Sequence, residues 1–138
     1  MNTMAQKKDL RVYPALITRD GDGFGVSFPD LPGCLTCADT PEEALTNAKE
    51  ALEGFIYFSE KDGDVLPAPT PFEKLSAPKG ASVALISARM DLVRAQQENI
   101  SVTKSITLPA WLNKIAMEAK VNFSQVLQEA LKRKLQVQ

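Results

Sequence analysis

Residues 29–45, P-D-L-P-G-C-L-T-C-A-D-T-P-E-E-A-L, decide the fold of the front of this chain. Two prolines and a glycine within 29–34 stiffen and turn the backbone, so this piece is a rigid loop. A brief strand over 35–38 follows. Thr40, Pro41 and Glu43 then stand as N-cap, first-turn proline and N3 glutamate, the arrangement that satisfies the orphan N–H groups of a helix start. Ala44, Leu45, Ala48, Leu52, Phe55 and Ile56 recur at helical spacing and form one apolar stripe, with Glu42, Lys49, Glu50 and Glu53 opposite. A helix with one apolar side needs a surface to cover, and the flanking residues supply a sheet.

Upstream, residues 10–18 (L-R-V-Y-P-A-L-I-T) are rich in β-forming types, and 24–28 (F-G-V-S-F) alternate large apolar side chains. The intervening R-D-G-D-G can supply positive φ, so the pair reads as a β-hairpin. Pro14 lacks an N–H, which predicts an edge strand or a bulge there. Downstream, Gly63, Pro67, Pro69 and Pro71 exclude regular structure and make a connecting loop. Residues 81–90 (A-S-V-A-L-I-S-A-R-M) return as a last strand, giving the order β-β-β-α-β. Residues 92–101 are polar without clear period and read as an interdomain linker with some helical character.

The last part begins V-T-K-S-I-T-L-P at 102–109. Strand side chains alternate, so Thr103, Ser105 and Thr107 share one small, hydrogen-bonding face while Lys104, Ile106 and Leu108 share the other. Pro109 ends the strand and suits the first turn of a helix. Leu112, Ile115, Ala116 and Ala119 line that helix. Ser124 is a good N-cap for a second one, lined by Val126, Leu127, Ala130, Leu131 and Leu135, and Phe123 seals the turn between them. A strand and two helices this short cannot bury enough apolar surface alone, so a partner chain has to complete their core.

Composition narrows the function. The chain has 138 residues, 44% hydrophobic and 24% charged, an ordinary globular balance. No apolar run approaches the roughly 20 residues that cross a bilayer, and residues 1–8 do not read as a charged start before an apolar core, so we expect a cytoplasmic protein with no membrane partner. Residues 1–100 carry ten Lys and Arg against fifteen Asp and Glu, a net of −5, while 101–138 carry six against two, a net of +4. The basic end suits a polyanion such as nucleic acid; the acidic front repels phosphate and favours a basic protein. The chain has no histidine, which removes the commonest general base, the His-activated nucleophiles and His-containing metal sites. Cys34 and Cys37 are spaced C-x-x-C, but one such pair is half a zinc site, and the pair lies between a Pro-Gly turn and a strand instead of at a helix N-terminus. We read both as reduced structural thiols and expect no metal, no cofactor and no catalysis.

Two resemblances rest on these residues. Residues 102–135 resemble a ribbon-helix-helix DNA-binding domain, in which strands from two chains pair into an antiparallel ribbon that enters the major groove. This implies that Thr103, Ser105 and Thr107 read bases, and that the start of the second helix at Asn122, Phe123 and Ser124 holds a phosphate. Lys104 stands where that family is often apolar, and would reach a phosphate instead. Residues 12–60, in Y-P-A-L-I-T-R-D-G-D-G-F-G-V-S-F-P-D-L-P-G-C followed by D-T-P-E-E-A-L, resemble the HicB antitoxin family; Cys37 stands where that family often has glycine.

The resemblance implies an α+β chain: a β-β-β-α-β partial RNase H-like toxin-binding domain over 9–90, a linker over 91–101, and a ribbon-helix-helix module over 102–138 completed by dimerisation. The implied function is that of an antitoxin which masks a small basic HicA-type mRNA-cleaving toxin and represses its own operon on double-stranded operator DNA. It would act as a homodimer, or as a tetramer if the front domain pairs separately. Asp20, Asp22 and Asp30 in the loops are candidate toxin contacts, although turn chemistry alone accounts for them. An alternative is a stand-alone ribbon-helix-helix regulator whose front domain senses a ligand or protein. A magnesium-dependent nuclease would need carboxylates converging from strand centres, and the first three of Asp20, Asp22, Asp30 and Asp39 lie in turns.

Overall fold

The D-G-D-G cluster closes a hairpin: Gly21 takes φ +61°, and β1 (Leu10–Asp20) turns back into β2 (Gly23–Ser27) with Asp20 opposite Gly23. This geometry comes from a computed structural model, which describes residues 8–98 and 101–138. The polar start at 1–7 and two positions of the expected linker, Asn99 and Ile100, lie outside the described residues. The chain divides into two units, Met1–Ile100 and Ser101–Gln138.

The loop after β2 is two consecutive turns, with the Leu31 N–H donating to the Phe28 carbonyl (2.9 Å) and the Cys34 N–H to the Leu31 carbonyl (3.0 Å). In the second turn Pro32 precedes Gly33, whose φ of +94° is the conformation a type II turn demands at that place. Phe28, Leu31 and Cys34 are thereby aimed into the core. β3 (Leu35–Ala38) pairs with β2, and the expected helix follows as α1 (Pro41–Lys61). Thr40 Oγ1 accepts from the Glu43 N–H at 3.1 Å, while Glu43 Oε1 reaches one residue further back than expected, to the Asp39 N–H at 3.4 Å. Ala44, Ala48, Leu52 and Ile56 are buried against the sheet; Leu45, on the rim of the expected stripe, is exposed.

β4 (Ala81–Arg89) pairs antiparallel along β1 from Leu10↔Arg89 to Thr18↔Ala81, giving the sheet order β3-β2-β1-β4. The β-β-β-α-β order therefore holds, but the edge or bulge expected at Pro14 does not. β1 is an inner strand with continuous register to β4 through Pro14↔Leu85. The missing N–H is tolerated because β2 ends at Leu16↔Ser27, so the side of β1 away from β4 has no partner strand at Pro14.

The connecting loop 62–80 contains a single 3₁₀ turn, Phe72–Lys74, and is tied down at two points. Buried Tyr13 donates its hydroxyl to the Pro67 carbonyl at 2.7 Å, and Thr70 donates both its N–H (2.8 Å) and its hydroxyl (2.6 Å) to the Asp30 carboxylate.

Residues read as linker turn out to be structural. α2 (Met90–Glu98) follows β4 directly, with Met90 and Val93 buried. Arg94 on α2 donates to Asp9 at 2.7 Å and to Glu60 at 2.6 Å, and Arg11 also pairs with Asp9 at 2.7 Å. Hydrogen bonds from Arg11 and then Arg94 hold the Asp9 carboxyl below the ordinary carboxylate range. The apolar content of α2 is too sparse to show a helical period by itself, and its main fixing charges come from residues 34 and 85 positions away.

Candidate functional site

The C-terminal unit holds the residues expected to touch DNA. After residues 101–109, which have no regular secondary structure, come α3 (Ala110–Glu118) and α4 (Phe123–Leu135). Thr103, Lys104, Ser105 and Thr107 are all exposed, and Leu108 is half-buried. The strand expected over 102–109 is not formed in the single chain.

Each helix of this unit ends with its N–H donors folded back on the last turn. The Val121 N–H donates to the Ala116 carbonyl (3.1 Å) and the Val137 N–H to the Lys132 carbonyl (2.9 Å), with Lys120 and Gln136 left-handed at φ 56° each. α4 is capped by Asn122, whose Oδ1 accepts from the Gln125 N–H at 3.0 Å, and not by Ser124, which lies inside the first turn. Asn and Ser cap about equally well, so propensity could not choose between them. Phe123 is half-buried as the first helical residue, so the helix starts two residues earlier than a Ser124 cap would place it. Asn122, Phe123 and Ser124 together form that helix start, and the basic residues Lys132, Arg133 and Lys134 gather at its other end.

No described residue of this unit is buried. Val102, Ile106, Trp111, Leu112, Ile115, Met117, Val126, Leu131 and Leu135 are exposed, with Val102 at 85% and Trp111 at 65%. Both helices of this unit thus carry apolar side chains that the single chain leaves uncovered.

In the N-terminal unit the three candidate aspartates separate. Asp20 and Asp22 are exposed at the hairpin tip. Asp30 is half-buried, and its carboxylate is occupied by Thr70, so its evident task is to hold the 62–80 loop. Cys34 is buried, its Sγ 3.6 Å from the Ala51 carbonyl, and burial pushes its thiol up to about 11; Cys37 is exposed on β3, so only one of the pair is a core thiol. Among the described residues no three His, Cys, Asp or Glu are placed to hold a metal ion, and no helix is long and apolar enough to cross a membrane.

A feature not anticipated from the sequence lies between the 33–35 corner and the second half of α1. An open groove of about 480 Å³ is lined by Gly33, Leu35, Gly54, Phe55 and Phe58, with Asp62 and Asp64 at its end. Leu35 is 66% exposed and Phe58 63% exposed. The signal was present in Phe58, an aromatic residue off the apolar stripe of α1, where a solvent-facing helix position is ordinarily polar.

The model of the HicB-like antitoxins of bacterial toxin-antitoxin systems matches residues 13–131, which spans both units. The chain belongs to the HicB-like antitoxin family. Among HicB relatives, antitoxin HicB 2 of Photorhabdus laumondii is 36% identical over 87 residues, covering 60% of this chain and 62% of that protein. A chain from a toxin-antitoxin complex of Streptococcus pneumoniae superposes with a TM-score of 0.56 at 25% identity, covering 91% of this chain and 99% of that one. Antitoxin HicB of Burkholderia pseudomallei shares the fold, with a TM-score of 0.52 at 22% identity over 93% of this chain and 98% of that one. The four-stranded antiparallel sheet with its helices is thus a HicB-like α+β architecture. The family is one of antitoxins and not of enzymes.

Proposed function

We propose that this antitoxin has two jobs on two units: the N-terminal unit binds and masks a small basic HicA-type mRNA-cleaving toxin, and the C-terminal unit dimerises as a ribbon-helix-helix module that represses the shared operon. The observation that carries the second job is the bare apolar side of α3 and α4, joined to an exposed Thr/Ser segment and a net charge of +4. Pairing two copies of 102–109 would supply each strand's missing partner and cover those helices at once. Thr103, Ser105 and Thr107 would then face base edges, with Lys104 and the α4 start at Asn122, Phe123 and Ser124 on phosphates. The partial RNase H-like character of the first unit and a boundary near residue 101 belong to the same reading.

For the first job, the support is electrostatic. A unit of net −5 complements a basic ribonuclease, and complementary potentials speed encounter. The toxin-antitoxin complex from Streptococcus pneumoniae, whose chain this one resembles along most of its length, points the same way.

The test is binding to DNA from upstream of the chain's own reading frame at fixed salt. Thr107→Ala is expected to weaken it by about tenfold, as loss of a base contact worth roughly 1–3 kcal/mol does, while leaving toxin binding intact. Lys104→Ala should instead weaken all sequences alike and flatten the salt dependence. Equal operator affinity of the Thr107 variant would remove the assigned reading face.

A further inference from the structure

We infer that the groove between β3 and α1 is where the toxin docks, an apolar protrusion of that basic protein entering between Leu35 and Phe58 while a neighbouring Lys or Arg meets Asp62 and Asp64. This rests on the proposed pairing with a basic toxin and adds the surface that performs it.

Three observations converge on the groove. First, Leu35 and Phe58 are large, apolar and mostly exposed beside the half-buried Phe55, so a concave apolar floor is already in place. A well-packed aromatic in a partner-filled pocket is the usual source of binding energy in an interface. Second, the acidic end is fixed in position. The N–H of Asp62 donates to the Phe58 carbonyl at 3.0 Å and that of Asp64 to the Ser59 carbonyl at 2.9 Å, so both carboxylates extend from the ordered end of α1. Neither carboxylate has an ion-pair partner among the described residues, which leaves them available to a cation from outside. Charge complementarity therefore selects a basic occupant.

Third, the other exposed surfaces of this unit fit that occupant less well. Both outer strands already have an edge carbonyl engaged by α1, Cys37 by Asn47 at 2.9 Å and Ser87 by Lys49 at 3.2 Å, which obstructs addition of a partner strand. The sheet face away from α1 shows Leu10, Val12 and Leu85, but the carboxylates nearest to it in the chain, Asp9 and Asp91, are already held by Arg11 and Arg89 at 2.7 Å and 2.9 Å, so it lacks the free acidic end of the groove.

The experiment measures affinity of the full-length chain for the small basic protein encoded by the adjacent reading frame, in a catalytically inactive form. Phe58→Ala is expected to lower affinity by 10-fold or more, through a faster off-rate. Asp62→Asn with Asp64→Asn is expected to lower the on-rate and its salt sensitivity. Leu85→Ser, on the opposite face, should leave affinity unchanged. All four positions are exposed, and unaltered melting and operator binding confirm that each variant is folded. If the wild-type chain does not bind this protein at all, the antitoxin pairing itself fails and the groove assignment with it. If the wild type binds and Phe58→Ala binds equally well, or if Leu85→Ser is the variant that fails, the pairing stands and the groove is overturned. A Phe58→Ala chain that keeps its affinity but loses an oligomer would give the groove to a second copy of the chain.

Discussion

Asn47 and Lys49, two residues apart on α1, reach opposite edges of the same sheet: Asn47 Nδ2 donates to the Cys37 carbonyl of β3 at 2.9 Å, and Lys49 Nζ to the Ser87 carbonyl of β4 at 3.2 Å. One helix thus closes off both open strands of a four-stranded sheet, whose unpaired edges would otherwise invite pairing between molecules. Both contacts are exposed, so the Asn47→Ala and Lys49→Ala substitutions together should cost only about 1 kcal/mol in stability. The larger effect expected is association. Light scattering at rising concentration should show higher-order species for the double variant before the wild type, and equal scattering would deny the edge-closing role.

Asp30 acts as a clasp between two loops. Its carboxylate accepts both the N–H and the hydroxyl of Thr70, so Asp30→Ala leaves a half-buried pair of donors without their acceptor. The expected cost is roughly 1–3 kcal/mol, concentrated in residues 62–80, and faster proteolysis within that loop is the readout. If Asp30 were instead a toxin contact alone, toxin affinity would fall while the cleavage rate stayed the same.

Acid should release α2 from the rest of its unit. The Asp9 carboxyl, hydrogen-bonded by Arg11 and Arg94, titrates below its ordinary value. A group depressed on folding stabilises fully above its unfolded pKa, about 4, and that contribution is lost as pH falls through the lower folded value. Urea midpoints between pH 7 and pH 2 should therefore drop in the acid limb for the wild type. Asp9→Asn should begin lower at neutral pH and fall less steeply; parallel curves would show that Asp9 contributes nothing to the acid response.

Lys120 occupies a left-handed conformation at the end of α3, with φ 56°. Only glycine adopts that region without steric cost, so Lys120→Gly is expected to stabilise the C-terminal unit by roughly 0.5–1 kcal/mol. Thermal melts should show a higher midpoint, compared at one protein concentration because the proposed dimer would melt in a concentration-dependent way. A lowered midpoint would mean that the lysine makes contacts outweighing its backbone strain.

Much of the architecture was legible before any coordinates because it rests on interactions between near neighbours. The Leu31–Cys34 turn, the Thr40 cap and the apolar spacing from Ala44 to Ile56 are each written within a few residues, and all three are present. The charge split between the two units is likewise a property of sequence alone. What could not be read locally was long-range partnership. Pro14 looked like an edge residue because its missing N–H is a local fact, whereas the strand that runs beside it arrives some 70 positions later, at Leu85. Residues 91–98 looked like part of a tether because the carboxylates that fix Arg94 belong to Asp9 and Glu60. The groove beside Phe58 exists only because α1 and the Gly33 corner meet across the sheet. Sequence determined the hairpin, the capped helix α1 and what their faces carry, since hydrogen-bond capping, turn dihedrals and side-chain periodicity act over a few residues. The tertiary structure decided which strand is inner, which charges pair and which surfaces stay bare, because these depend on closing long loops that no local pattern encodes.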